Sequence, residues 1–474
     1  MPDRRADGRS VIRRAKGTGR MEERFDLIVI GGGPGGHAAA ETAARLGARV
    51  CAIERDGWGG TCTHRGCIPT KALLACSGHY AALKRLGRLG IGIGEASFDF
   101  AAMKRHQGQL VRISALGVRK SLEAAGAVLK EGEGRLRAPG EVDCVTPDGR
   151  RETLHAKNVC LAWGSSPLLP AGFVPSARIL TSDGLLALPN LPERIAIVGG
   201  SVIGVEFATL LAELGCRVTL WELLDRLIPT EDPDLGGFLA QELKRLGVEI
   251  RTGVRMTAIE EDEDGVALTA EPAERDGETP ALQWRGTCVL LAAGRRPSLD
   301  EDALKRLGID YGLQGIRVDT RQQTTVPGIQ AVGDVTGGMM LAHRAMQQGR
   351  ALADRLFGAG TISCDERAAA AVIYTHPPIA RVGLTEREAA ARGIEIEIVR
   401  PDYAANIMAR AELVPTGFAK LLFHRGTFAG AAVAGEAAGD LIAPLALAVS
   451  ANLGRRELAN WILPHPSLSE LLNV

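Results

Sequence analysis

The chain has 474 residues, enough for about three domains of ordinary size. Its 56 Lys and Arg balance its 56 Asp and Glu, so no net field draws it to nucleic acid or to a basic partner. No apolar run reaches the roughly 18 residues that span a bilayer, so no membrane segment is expected.

Residues 1–20 carry six arginines and no apolar stretch of the kind that directs secretion. Asp3 and Asp7 argue against a transit peptide, and the segment is expected to be a disordered extension, with Met21 a natural beginning. Phe25–Ile30 then reads as an apolar strand, Gly31 to Gly36 as a glycine turn, and Ala38–Leu46 as an Ala-rich helix. A second strand, Arg49–Ile53, ends in Glu54. The segment Gly59-Gly60-Thr61-Cys62-Thr63-His64-Arg65-Gly66-Cys67-Ile68-Pro69-Thr70-Lys71 follows, leading into a helix through Cys76. Phe98–Leu129 reads as helical and Cys144–Pro167 as strands.

The opening pattern then recurs. Ile195–Val198 is a strand, Gly199 to Gly204 a turn, Glu206–Leu214 a helix, and Arg217–Trp221 a strand ending in Glu222. Glu54 and Glu222 both stand 23 residues after the first glycine of their turn, and the whole unit repeats at an offset of 168 residues. Cys288–Pro297 is expected to be one strand, Ile329–Asp334 another, and the tail from about Ala351 a separate α+β domain.

The turn Gly31-x-Gly33-x-x-Gly36 has the form that admits a pyrophosphate: a tight turn, close backbone approach, and helix packed on strand. Helix-terminal N–H groups face the phosphates. Alone, such glycines are often only a turn; strand, turn, helix, strand and acid in order point to a nucleotide site. In the second unit Ser201 replaces the middle glycine, adding bulk beside the pyrophosphate. Glu222 would accept from a ribose 2′-hydroxyl and repel a 2′-phosphate, which favours NAD over NADP; the alternative is a solvated strand end.

Nine cysteines are scattered, an odd number in a long chain, so a secreted disulfide scaffold is not expected and the protein is read as cytoplasmic. Most lie in apolar contexts and are expected to be inert. Cys62 and Cys67 have three readings: an incidental spacing, a metal pair with His64, or a redox pair. The metal reading has poor spacing for a closed zinc site. The redox reading draws on Pro69, which fits a first helical turn and puts Cys67 at a helix N-terminus, where the dipole favours thiolate. Lys71, four residues on, adds positive charge on the same face. Near the other end, Ser467-x-x-Glu470 makes a capping box, with His465 as a turn residue. A redox dithiol also needs a base of near-neutral pKa, a role His465 suits, with Glu470 holding its tautomer.

Taken together, Gly59–Leu74, Gly199–Glu206, Val218–Pro229, Ala292–Pro297, Ala331–His343, Val372–Thr385 and His465–Glu470 resemble the pyridine nucleotide–disulfide oxidoreductases. The resemblance runs from about Met21 to Val474 and is strongest to the branch that oxidises dihydrolipoamide with NAD. It implies an α/β fold: two Rossmann-like FAD/NAD(P)-binding domains and a C-terminal α+β dimerisation domain. The implied division is 21–170 and 287–350 for FAD, 171–286 for NAD and 351–474 for the interface.

Gly31, Gly33, Gly36, Glu54, Gly134, Gly164, Ser165, Asp334, Met340, Leu341, Ala342 and His343 are implied to hold FAD. Lys71 would lie by the flavin, paired with Glu206. Gly199, Gly204, Glu206, Glu222, Val254 and Gly294 are implied to line the NAD site. Cys67 would face the flavin, Cys62 would exchange with substrate, and His465, oriented by Glu470, would act from the other subunit of a homodimer. A lipoyl-bearing protein or a small disulfide is the implied partner. A reductase of another disulfide or a metal ion is the alternative enzyme, and a flavin-bound structural or sensory protein the alternative of another class. Three departures stand out: Thr63-His64-Arg65 replaces an apolar triplet, Trp163 precedes Gly164-Ser165, and Leu463 takes the place of a second histidine. They bear on redox potential, pH profile and substrate.

Overall fold

The computed structural model describes residues 24–274 and 280–474, so the basic extension expected at 1–20 lies outside the described residues. Strand Arg24–Ile30 is central in a parallel sheet, between Val50–Glu54 and Arg151–Leu161. Val128–Glu131 and Ile329–Ala331 take the outer parallel positions. The central strand reads as an unbroken apolar run because both faces are covered. Leu27 and Val29 meet helix Pro34–Arg45 and Leu122 of the long helix Phe100–Ala125. Ile28 and Ile30 meet Leu136, Val142 and Leu304 on the opposite side. Each such side chain contributes about 1.5–3 kcal/mol when fully buried.

The second unit repeats this plan. Arg194–Val198 is central among Ile179–Leu180, Cys288–Leu291, Arg217–Trp221 and Glu249–Arg251, all parallel. A three-stranded antiparallel meander, Val254–Glu261, Val266–Pro272 and Leu282–Gly286, covers one face through Leu268 and Trp284. The repeated glycines have the same cause in both copies. A Cβ at Gly36 would lie 1.9 Å from the Gly31 carbonyl oxygen, and one at Gly204 1.8 Å from that of Gly199. Helix and strand are in backbone contact at these two points.

Two sequence expectations need correction. The long helix does not reach Leu129: it ends at Ala125, where left-handed Gly126 returns its N–H to the last turn, and Val128–Glu131 becomes a strand. Cys288–Pro297 is not one strand. It breaks at Gly294 (φ +115°), and Arg295–Pro297 crosses to pair antiparallel with Ser165–Pro167. A boundary after residue 286 therefore cuts the second sheet, to which Cys288–Leu291 belongs. A boundary after residue 350 likewise falls inside the continuous helix Ala342–Phe357.

The C-terminal domain is a five-stranded antiparallel sheet ordered Ala371–Ile373, Ile379–Gly383, Thr427–Ala434, Phe418–His424, Glu397–Val399. Helix Ala438–Ser450 packs on one face through Leu441, Ile442 and Leu445. Ile373, Ile379 and Phe418 join the core of the second nucleotide unit instead. An ionic cluster crosses the same boundary. Lys420, only 1% exposed, reaches Asp232 and Asp234 at 2.9 Å each and Glu386 at 2.5 Å. Among the described residues no helix is long and apolar enough to cross a membrane.

Candidate active site

Gly33 differs from its neighbours in the first glycine turn. No heavy atom comes closer than 4.0 Å to a Cβ added there, so the protein's own packing does not require a glycine. The helix it begins has no side-chain cap on its first N–H groups. Unfilled space beside free backbone donors fits a pyrophosphate. Glu54 is buried, and its carboxylate accepts from the N–H of Gly32 at 2.6 Å and of Asp56 at 2.8 Å. Glu222 does the same for Gly200 at 2.6 Å and Leu224 at 2.8 Å. Each acid thus holds its glycine loop and keeps lone pairs for a ribose. Val254 donates to the Glu222 carbonyl at 3.1 Å, beside that second turn. Ser201 caps no N–H of its helix with its side chain.

Asp334 and Ser165 are brought together from 169 residues apart by a 2.6 Å hydrogen bond. Arg295 completes this junction, donating to the Ser165 hydroxyl at 2.8 Å and carbonyl at 2.7 Å. Burial depresses the Arg295 pKa. Gly164 and Gly294 flank the same crossing, both at positive φ with open space around them. Gly134 has a packing cause: a Cβ there would meet Ile30 at 2.7 Å. Met340 and Leu341 lead into the helix that Ala342 and His343 begin, again without a side-chain cap, and burial lowers the His343 pKa.

Cys62 lies on the short helix Gly60–His64, and Cys67 opens the helix Cys67–Leu83. The two form a disulfide with a Cα–Cα distance of 4.6 Å. The polar triplet between them faces the turn at residues 54–60. Thr63 packs on Gly59, where a Cβ would come within 2.2 Å of its hydroxyl. The His64 Nε2 bonds the Trp58 carbonyl at 3.1 Å, which turns the ring toward that turn. Arg65 donates to Asp56 at 2.9 Å, holding that carboxyl below its ordinary range, and lies 3.7 Å from Asp183. The other cysteines contrast with this pair. Burial pushes the Cys160 and Cys288 thiols up to about 12 and Cys216 up to about 11, so they hold no thiolate near neutrality.

Lys71 meets the Glu206 carboxylate at 2.8 and 3.0 Å. Glu206, 4% exposed, also accepts from the Tyr374 N–H at 3.0 Å, and the Lys71 ammonium lies 4.7 Å from the Tyr374 ring centre. His465 bonds Glu470 through Nδ1 at 2.8 Å, and the other Glu470 oxygen accepts from the Ser467 N–H at 3.0 Å. The capping box and the His–Glu pair therefore coexist, sharing the two oxygens of one carboxylate. Those bonds lower the Glu470 pKa, that from His465 most. The His465 side chain is 76% exposed, and among the described residues its ion-pair partner is Glu470 alone. Within one chain it is open to solvent and to a second subunit.

Sequence reasoning missed Arg295, Tyr374, Ser77, Glu213 and His376. Arg295 stands in Ala292–Pro297 and Tyr374 and His376 in Val372–Thr385, two of the segments that carry the resemblance, and Glu213 lies seven residues after Glu206, on the same helical face. Ser77 carries no local signal.

The family model "Pyridine nucleotide-disulphide oxidoreductase" matches residues 25–349, and the dimerisation domain of that family matches 369–473. The chain is 34% identical over 454 residues to a dihydrolipoyl dehydrogenase of Chlorobaculum tepidum, covering 95% of this chain and 96% of that one. It is also 34% identical to dihydrolipoyl dehydrogenase 3 of Pseudomonas aeruginosa, covering 95% and 97%. Among solved structures, LpdA from Mycobacterium tuberculosis superposes with a TM-score of 0.87 at 29% identity, covering 95% and 98%. The HOCl-induced flavoprotein disulfide reductase RclA from Escherichia coli, in a Cu(II) complex, gives 0.82 at 27% identity with the same coverage.

Proposed function

The chain belongs to the pyridine nucleotide–disulphide oxidoreductase family and is an FAD-dependent disulfide oxidoreductase, and from that premise we propose that it oxidises a dihydrolipoyl dithiol with NAD. The observation that carries the proposal is the bridged Cys62–Cys67 pair, with Cys67 at a helix N-terminus and the Lys71–Glu206 pair one turn away. The names of its relatives supply the substrate. The chain works as a homodimer through its dimerisation domain. A lipoyl group on a protein is the expected partner, and a cytoplasmic location accompanies it.

In this proposal a substrate thiolate attacks the Cys62 sulfur. A mixed disulfide forms, the Cys62–Cys67 bond breaks, and Cys67 leaves as a thiolate that the helix dipole and Lys71 stabilise. His465 takes the proton of the second substrate thiol. That sulfur then attacks the substrate sulfur of the mixed disulfide, closing the substrate disulfide and expelling Cys62, which takes the proton back from His465 and is left as a thiol. Glu470 keeps Nδ1 of His465 engaged, leaving Nε2 to carry the proton. FAD, when bound, supplies the two-electron acceptor that restores the protein disulfide and the hydride donor to NAD. Gly33 and Asp334 would hold its pyrophosphate and ribityl parts, and Glu222 the NAD ribose.

Anaerobic titration with dihydrolipoamide tests this. The expected result is a long-wavelength thiolate-to-flavin absorbance, together with loss of turnover in Cys62→Ser. A titration without that absorbance, or a Cys62→Ser protein with full activity, overturns the proposal.

A further inference from the structure

Helix Cys67–Leu83 lies along helix Val202–Glu213, and two buried carboxylates tie them together. Glu206 takes Lys71 from the cysteine helix and the Tyr374 N–H from the C-terminal domain. Glu213, one heptad on, repeats the arrangement with different chemistry. Its Oε2 accepts from the Ser77 hydroxyl at 2.5 Å, and the His376 Nδ1 lies 2.8 Å from Oε1. Both glutamates are 4% exposed, and Ser77 is fully buried. The cysteine helix is bare at Gly78, where a Cβ would fall 2.6 Å from the His376 ring. Three chain segments, two of them 163 residues apart, therefore converge on one carboxylate.

We propose that Glu213 and His376 are positioning residues for the cysteine pair, fixing the helix that carries Cys67 at a second point beyond Lys71. The inference rests on the proposed dithiol chemistry. Leu73 and Leu74 hold the middle of the helix by apolar packing, and Glu213 adds to the hold at Lys71 a second directional, polar one near the far end, which limits pivoting about that middle. Cys67 lies about 6 Å from Lys71 along the axis and Ser77 about 9 Å on the other side, by helical rise. A shift of about 1 Å at Ser77 then moves Cys67 by roughly 0.7 Å, and misplacements of that size cost about tenfold to a hundredfold in rate. Neither residue touches the cysteines, so each acts through the helix alone.

The test compares Glu213→Ala, Glu213→Gln and the parent as FAD-loaded dimers. NADH–ferricyanide turnover bypasses the disulfide, whereas dihydrolipoamide–NAD turnover requires it. Glu213→Ala is expected to keep its FAD content and ferricyanide rate. It loses about tenfold or more in dithiol kcat/KM and most of the thiolate-to-flavin absorbance, while Glu213→Gln, which retains one acceptor oxygen, falls between. A parallel fall of both activities with FAD content overturns the inference, as does an unchanged dithiol rate. Should Glu213→Ala fail to fold, Ser77→Ala removes one bond and no charge, and must shift the same ratio in the same direction. The ratio of Cys62 to Cys67 alkylation after chemical reduction reports helix position whatever the substrate. It separates failure here, an unchanged ratio in Glu213→Ala, from failure of the dithiol assignment, a parent protein without the absorbance.

Discussion

The three glycines of the first turn make a graded experiment, because the structure gives each a different reason to be glycine. Real Cβ atoms stay beyond 3.0 Å of such neighbours, so Gly36→Ala, whose Cβ starts 1.9 Å from the Gly31 oxygen, forces helix Pro34–Arg45 back by about 1.1 Å. Overpacking of that kind costs about 1–3 kcal/mol, and it strikes the helix that covers one face of the first parallel sheet. Gly33→Ala meets only the Gly60 Cα, at 4.0 Å, an ordinary contact, and its backbone (φ −69°, ψ −177°) suits alanine. The weaker N-cap preference of alanine and the reduced entropy of its unfolded chain roughly cancel, leaving apo stability within about 1 kcal/mol of the parent. The methyl instead occupies the space assigned to pyrophosphate. Apo-protein melting by circular dichroism and FAD titration by fluorescence separate the two effects. Gly36→Ala should melt lower and bind poorly. Gly33→Ala should melt as the parent does yet lose at least about tenfold in FAD affinity, roughly 1.4 kcal/mol. Parent-like FAD affinity in Gly33→Ala would refute the placement of the pyrophosphate at this turn.

Two further outcomes follow from the charged groups. The Glu470 pKa is lowered, chiefly by its bond from His465, so its hold on His465 is complete above its ordinary value of 4.5 and is lost only as pH falls through the lowered value. Glu470→Gln should therefore reduce dithiol turnover across neutral pH without adding or removing a limb above pH 4.5 in the rate profile. Burial opposes the charge of Lys420, but its bonds to Glu386, Asp232 and Asp234 outweigh this and raise its pKa. The stabilisation is thus full below its ordinary value of 10.5 and is lost as pH rises through the raised one. Lys420→Met takes the cation from buried Asp232 and from Glu386, while Asp234 keeps Arg400 at 3.4 Å, costing about 3–5 kcal/mol. Thermal melting at pH 7 should show a lowered transition, and at pH 4 a smaller deficit as those carboxylates protonate.

The sequence by itself determined the duplicated nucleotide unit, the acid closing each copy and the cysteine pair at a helix start. Each is written within a few dozen residues, and strand, turn and helix periods are local properties. Gly36 and Gly204 were legible for the same reason: each contacts a carbonyl five residues before it. Contacts across the domains leave no local pattern, and of these the Lys71–Glu206 pair was expected only through the family resemblance. Lys71 finds Glu206 over 135 residues, Asp334 finds Ser165 over 169 and His376 finds Glu213 over 163, separations that leave no periodic trace. The tertiary structure decided, too, that Cys288–Leu291 joins the second sheet between Arg194–Val198 and Ile179–Leu180 while Arg295–Pro297 leaves it, because parallel strands choose neighbours by hydrogen bonds between distant segments. The unusual Thr63-His64-Arg65 reads from sequence as charge beside the disulfide. Folded, the His64 ring bonds the Trp58 carbonyl and Arg65 pairs with Asp56, because the turn after Glu54 supplies those acceptors.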